Sequence, residues 1–262
     1  MNDKRYPSDL TLREWSVIQP MLPRAKRRGR PAEHSKKSIV NGILYVVRTG
    51  CQWYALPKDY PPHTTVYDWF SKWTKSGLWG RILMRLNERV RVRAGRDPEP
   101  SALIIDSQSV KSGGISDEVG FDGGKWVKGR KRHIAVDVMG LPHAVSVTAA
   151  SVQDRDEAER IFEALEDDMR RLEKIWADCS YTGPLGDYLL GTFGWDLEII
   201  TPTKAEPGFH VRPWCWIVER TFGWLTKHRR LSKDYERKTA SSEALIRVAM
   251  IGNMARRLAQ PA

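Results

Sequence analysis

Three acidic residues stand where apolar runs end. Asp106 follows Ala102-Leu103-Ile104-Ile105, Asp178 follows Ile175-Trp176-Ala177, and Glu219 follows Trp216-Ile217-Val218. A charge in apolar company is costly unless it is paired, hydrogen-bonded or bound to a metal. Carboxylate oxygens suit hard divalent ions such as Mg²⁺. Two such ions, roughly 3.5–4 Å apart, can activate an attacking oxygen and stabilise a leaving one in phosphoryl transfer. Singly, each acid has a plainer reading. An Asp after a strand is usually a turn former, and a Glu on a helix is usually solvated. Together, in this order of elements, they form a candidate site for metal-dependent phosphoryl transfer. Asp154 and Asp156, in Gln153-Asp154-Arg155-Asp156, read as helix-capping residues. A place for Asp154 at the edge of the metal site is the alternative.

The acids can meet only if the fold joins distant segments. Short apolar or alternating runs predict strands at 102–105, 132–138, 143–149, 174–177 and 195–200. The turn Met139-Gly140-Leu141-Pro142 joins the second and third. Helical spacing covers 154–172, 183–192, 212–230 and 242–258. The order is strand, strand, strand, helix, strand, helix, strand, helix. It predicts an α/β fold of the ribonuclease-H-like kind, a mixed sheet flanked by helices. Asp106 is then expected at the end of the first strand and Asp178 at the end of the fourth. The Gly-rich, acidic stretch 113–124 lacks the order of a phosphate loop and reads as a mobile loop beside the site.

Ahead of this core the pattern is helical. Thr11-Leu12-Arg13-Glu14 fits a capping box. A second helix is expected from about Ser35, carrying Ile39, Ile43, Leu44 and Val47, with Gly50 as its terminator. Others are expected over 63–76, capped near Thr64 or Thr65, and from Leu78. Short helices with brief turns suit a small all-α module of helix-turn-helix type. An ordinary helical packing domain is the alternative. The expected division is a DNA-binding domain over 1–92, a linker over 93–100 and a catalytic domain with a C-terminal helix over 101–262.

The net charge of +11 implies a polyanionic partner, nucleic acid or an anionic membrane surface. A basic but uninvolved surface is the bland alternative. No apolar run approaches the roughly 20 residues of a membrane span, and the polar start resembles no signal peptide. A soluble, intracellular protein is expected. Cys51, Cys179 and Cys215 lack metal or disulfide spacing and read as reduced, mostly buried thiols.

Basic residues cluster where phosphates would lie. Arg27, Arg28, Arg30, Lys36 and Lys37 precede or open the second helix. Lys128, Arg130, Lys131 and Arg132 precede the second strand, near Lys125. Arg220, Lys227, Arg229 and Arg230 follow Glu219, and Lys233, Arg237 and Lys238 come next. Trp214, Trp216 and Trp224 bracket Glu219, either filling the core or stacking on an unpaired base.

Several motifs resemble those of bacterial insertion-sequence transposases of the IS-five type. They are Asp106-Ser107-Gln108-Ser109-Val110-Lys111, Lys128-Gly129-Arg130-Lys131-Arg132-His133, Ala177-Asp178-Cys179-Ser180-Tyr181, and Val218-Glu219-Arg220-Thr221-Phe222-Gly223-Trp224-Leu225 running on to His228-Arg229-Arg230-Leu231. The stretch from Leu12 through Trp73 resembles the helical domain fused ahead of that core. The resemblance implies a DDE triad of Asp106, Asp178 and Glu219. It also implies Mg²⁺, with Mn²⁺ as a substitute, and action on terminal inverted repeats by strand cleavage and strand transfer. Joining two ends implies a homodimer or a larger synaptic complex. A related branch carries a Tyr, Arg, Glu, Lys signature around the last acid. Here Arg212, Glu219 and Lys227 match it loosely, and Trp214 or Trp216 stands where a Tyr is absent. Two rivals stay open: a tyrosine recombinase using Tyr235 beside Arg229 and Arg230, and a DNA-binding protein without catalysis.

Overall fold

A computed structural model describes residues 5–24, 33–165, 169–201 and 214–260. Arg27, Arg28, Arg30 and Arg212 lie outside the described residues.

The first helix, α1 (Leu12–Ile18), starts as its sequence predicts. Thr11 Oγ1 accepts from the Glu14 amide, and the Glu14 carboxylate accepts from the Thr11 amide at 2.7 Å. Helix α2 (Lys36–Thr49) is capped by Ser35 and stops at Gly50, whose φ of 74° is left-handed. Helix α3 (His63–Lys75) begins after Pro62, without the expected Thr cap. Gly77, with φ 68°, turns the chain into α4 (Leu78–Arg93).

The sheet consists of β1 (Ala102–Lys111), β2 (Gly120–Asp122), β3 (Val127–Asp137), β4 (Pro142–Ala149), β5 (Lys174–Asp178) and β6 (Asp196–Ile200). β3 pairs antiparallel with β1 on one edge and with β4 and β2 on the other. β5 runs parallel to β1, and β6 parallel to β5. The long antiparallel strands β1, β3 and β4, with the short β2 added beside β3, followed by the parallel β5 and β6, give the ribonuclease-H-like order.

Two sequence expectations change here. β1 does not end at Asp106, because the polar run beyond it stays in the ladder with β3, from Asp106 opposite Ile134 to Lys111 opposite Gly129. Ser107 and Ser109 stand opposite His133 and Lys131, so polar partners replace apolar ones without breaking the pairing. The Gly-rich stretch contains β2, paired to the start of β3.

Each face of the sheet carries its own helices. Helices α5 (Asp154–Glu163) and α6 (Leu185–Phe193) cover Leu103, Ile105, Ala135, Ile175 and Ala177. On the opposite face, α7 (Cys215–Thr226) and α8 (Thr239–Ala259) cover Ile104, Ile134 and Val136. α8 also packs on α1 and α4, so this core continues into the N-terminal helices through Ile18, Ile43, Phe70 and Leu86. The linker at 93–100 thus separates two sequence patterns that share one core. A buried ion pair between Arg91 of α4 and Asp137 of β3 ties them further. So does Asn87 Nδ2, donating to the Pro142 carbonyl at 2.8 Å.

No helix among the described residues is long and apolar enough to cross a membrane. No disulfide joins the three cysteines, and contrary to expectation only Cys215 is buried, with Cys51 half-buried and Cys179 exposed.

Candidate active site

The register of β1 and β5 sets the geometry of the first two acids. Ile104 stands beside Trp176 in the parallel pair. Two residues further along each chain come Asp106 and Asp178. Side chains alternate faces along a strand, so both carboxylates share the face of Ile104 and Trp176, one strand apart. Adjacent strands lie roughly 4.8 Å apart. Asp178 is the last residue of β5, and its carboxylate accepts from the Ser180 amide at 2.9 Å, capping a 3₁₀ turn. Asp106 accepts from the Ser107 amide at 2.6 Å.

Burial pushes the Asp106 carboxyl up to about 7, and the charges of Asp178 and Asp154 push the same way. The Ser107 amide and Lys125 oppose them. A nearby cation would restore the ionised form. The donors are carboxylate oxygens, the chemistry that hard divalent ions take. Tyr181 adds a further sign. It is fully buried, its hydroxyl has no hydrogen-bond partner among the described residues, and it feels Asp106, Asp154 and Asp178. The residues present therefore fit a divalent ion at the Asp106–Asp178 pair.

Glu219 lies on α7, beside the buried stripe Cys215, Val218, Phe222 and Leu225. It is exposed. It lines an open cleft of about 430 Å³ with Ser107, Gln108, Ser109 and Lys125. The third acid therefore faces the segment of β1 just past Asp106. Among the described residues, no three His, Cys, Asp or Glu side chains stand close enough to cage an ion. The structure brings Asp106 and Asp178 together and leaves Glu219 across the cleft.

Asp154 opens α5 after the N-cap Gln153, so it is not itself the cap. It pairs with Lys131 Nζ at 3.0 Å on the α5 side of the sheet. His133 lies beside it, Nδ1 at 3.9 Å. Burial, with help from Lys131 and Lys125, pushes His133 down to about 4, so the ring is neutral near pH 7. Lys125, whose Nζ donates to the Ser107 carbonyl at 3.0 Å, reaches the cleft from the loop between β2 and β3. Tyr181 and His133 were carried in motifs of the sequence, but their burial beside the acids depends on long-range packing.

Several cations read as DNA-facing are occupied inside the protein. Arg130 is fully buried, with Nη1 on Asp234 Oδ1 at 3.1 Å and further bonds to the carbonyls of Glu118, Glu236 and Arg237. Arg132 is buried and donates to the Leu231 and Lys233 carbonyls. Lys131 is buried on Asp154 and the Val152 carbonyl. Arg230 is buried on Glu236 at 2.7 Å. These four hold the 228–238 segment and the β3 edge rather than facing DNA. Arg220 is partly buried between the rings of Trp216 and Trp224 and donates to the Met139 carbonyl. Lys128, Lys227 and Arg229 are exposed, and Lys36 and Lys37 are half-buried at the start of α2.

Trp214 stacks on Trp176, with ring centres 4.7 Å apart and planes 11° from parallel. Trp224 packs partly buried against the core, whereas Trp216 is exposed. Arg230, one of two arginines the recombinase alternative needs, is engaged with Glu236.

A family model described as "Transposase DDE domain" matches residues 97–254, more than half of the chain. The chain belongs to the DDE transposase family. A second family model, "Putative transposase of IS4/5 family", matches residues 10–83. Two relatives come from Burkholderia cepacia. The "Insertion element IS402 uncharacterized 16.2 kDa protein" is 30% identical over 40% of this transposase and 75% of its own length. The "Putative transposase for insertion sequence element IS402" is 28% identical over 46% of this chain and 60% of its own. Among solved structures, the Mos1 transposase paired-end complex with left transposon end aligns at a TM-score of 0.26 and 12% identity, over 66% of this chain and 61% of that one. The Mos1 strand transfer complex aligns at a TM-score of 0.24 and 12% identity, over 90% and 80%. At these scores the likeness is loose, and the fold assignment stands on strand order and the family match.

Proposed function

We propose that this transposase binds the terminal inverted repeats of an insertion sequence and catalyses metal-dependent DNA strand cleavage and strand transfer. One observation supports the reading: Asp106 and Asp178 stand on adjacent parallel strands, each two residues past the paired Ile104 and Trp176, close enough for the Asp178 charge to act on Asp106. Glu219 completes the acid set from α7 once DNA occupies the cleft. Asp106, Asp178 and Glu219 would hold Mg²⁺, or Mn²⁺ in its place. When bound, such ions supply the charge that activates an attacking oxygen and stabilises a leaving one.

The protein's own residues do the rest. Ser107 to Ser109 and Lys125 line the cleft that receives the phosphodiester. Water attacks it to free a 3′-hydroxyl, and that hydroxyl attacks target DNA in line, with no covalent protein–DNA intermediate. Lys128, Lys227 and Arg229 hold flanking phosphates. Lys36 and Lys37 sit at the positive end of α2, where a cation opposes the helix dipole and an anion is favoured. Arg27, Arg28 and Arg30, outside the described residues, extend that patch. The N-terminal helices grip the element's end, and a homodimer or larger complex joins two ends in the cytoplasm, on the nucleoid.

A second reading, a DNA-binding protein that does not cut, draws on the exposure of Glu219. The test is cleavage of duplexes bearing the DNA that flanks the coding sequence. Strand breaks with Mg²⁺ that stop with EDTA or in Asp178→Asn support the transposase chemistry. Binding without breaks under every metal condition favours the second reading.

A further inference from the structure

Three helices end near one another behind α7: α2 at Thr49, α7 at Thr226 and α8 at Ala259. Between them lies a pocket of about 240 Å³, lined by Arg48, Lys227, His228, Asn253, Arg256 and Arg257, with Trp224 on one wall. Four of these side chains are cationic and none is acidic.

Cations at helix ends ordinarily answer the negative pole of the helix dipole. That accounts for Arg48, whose Nη1 donates to the Lys227 carbonyl at 2.7 Å. It does not account for α8, whose final carbonyls, on Arg257, Leu258 and Gln260, are taken by Arg93. The Arg257 guanidinium lies instead over Trp224, 4.4 Å from the ring centre. Arg256 has Glu14 at 3.9 Å, outside the pocket lining. His228 is 8% exposed, and its Nδ1 has no hydrogen-bond partner among the described residues. Burial, with Arg48 and Arg256 adding to it, pushes His228 down to about 4. The imidazole is therefore neutral near pH 7, able to donate one N–H.

We infer that this pocket holds a backbone phosphate of DNA, gripped by Arg48, Arg256 and Arg257 with Lys227 at its rim. Guanidinium forks match phosphate oxygens in geometry and charge. Lys227 follows Glu219 by eight positions, about 12 Å at 1.5 Å per helical residue. At about 3.4 Å per nucleotide of one strand, the pocket stands three to four nucleotides from Glu219. It rests on the reading that the cleft acts on DNA, and it gives α2 and α8 a share in positioning the strand.

The test is the salt dependence of binding of a short duplex of unrelated sequence to the full chain, from about 50 to 200 mM salt. For every phosphate that the protein no longer neutralises, the slope of log affinity against log salt falls by about 0.9. Arg257→Gln and Asn253→Asp are each expected to lower it by that amount. Asn253→Asp leaves every arginine in place, so it reports on the pocket even if Arg257→Gln fails to fold. An unchanged slope in Asn253→Asp overturns the assignment. Saturable binding of inorganic phosphate, lost in Asn253→Asp while the DNA slope holds, marks a site for a small free anion and overturns it too. If the wild type binds no duplex at all, the DNA-directed function falls with it. If the wild type binds and only the slope holds, the pocket alone falls.

Discussion

Asp178 lies one strand over from Asp106, each two residues beyond the Ile104–Trp176 pair that ends the β1–β5 ladder, and the Asp178 charge reaches the Asp106 carboxyl. The ladder sets the offset of the two strands up to that pair, and strand alternation puts both acids on its face. Metal sites of this kind supply several kcal/mol of transition-state stabilisation. At 1.36 kcal/mol per decade, Asp106→Asn and Asp178→Asn are each expected to lower strand cleavage on the order of 10³-fold. Duplex binding should stay near wild type. Single-turnover cleavage measured beside a binding titration checks both, and cleavage within about tenfold of wild type would remove that residue from the reaction.

The buried pair of Arg91 and Asp137 should act on stability instead. Burial by itself raises the Asp137 carboxyl, but the His143 imidazole 3.6 Å away and hydrogen bonds from the Leu141 amide and Arg91 outweigh it and hold it below the usual range. A depressed folded-state value gives stability that is present above the unfolded value of about 3.8 and is lost as pH falls through the folded one. Removing one partner of a buried pair costs about 3–5 kcal/mol. Asp137→Asn should therefore lose stability on that order at pH 7, with the gap to wild type closing in strong acid. Urea denaturation at both pH values measures it.

Arg130 and Lys128 separate structure from recognition. They are two positions apart, yet one is fully buried and the other exposed. Arg130→Met, which leaves Asp234 without its guanidinium, is expected to destabilise by roughly 3–5 kcal/mol. Lys128→Ala should leave the melting temperature unchanged and lower the salt slope of DNA binding by about 0.9. Thermal melts and binding at several salt concentrations distinguish them. The reverse pattern would restore Arg130 to the DNA surface.

Gly140 holds the turn between β3 and β4 with φ 76°, and an added Cβ there would stand 2.8 Å from Thr221 Oγ1 and 3.1 Å from the Trp224 ring. Thr221 donates to the Gly140 carbonyl at 3.0 Å, which seats α7 on the sheet. Left-handed backbone costs a non-glycine residue roughly 1–2 kcal/mol, and overpacking typically adds about 1–3 kcal/mol. Gly140→Ala is expected to destabilise by about 2–5 kcal/mol and to weaken cleavage by displacing Glu219. Wild-type stability in that variant would show that the turn yields freely.

The sequence made the strand order readable because apolar runs such as Leu103-Ile104-Ile105 and Ile175-Trp176-Ala177 mark buried strands directly. The extension of β1 past Asp106 was hidden, since Ser107 and Ser109 meet polar partners on β3 and leave no hydrophobic signal. The burial of Arg130 and Arg132 was hidden for another reason. Apart from the Glu118 carbonyl, their acceptors, from Leu231 to Arg237, lie about a hundred positions away, and a local charge run looks alike whether solvated or enclosed. The return of α8 onto α1 and α4 likewise depends on contacts that no local pattern encodes.

The most direct measurement is Mn²⁺ binding to the full chain with duplex DNA present, by titration calorimetry or electron paramagnetic resonance. Wild-type protein should take up the ion, Asp106→Asn and Asp178→Asn should lose it, and Glu219→Gln should weaken it only when DNA is bound. Equal Mn²⁺ uptake by all four proteins would contradict a metal site built from these acids.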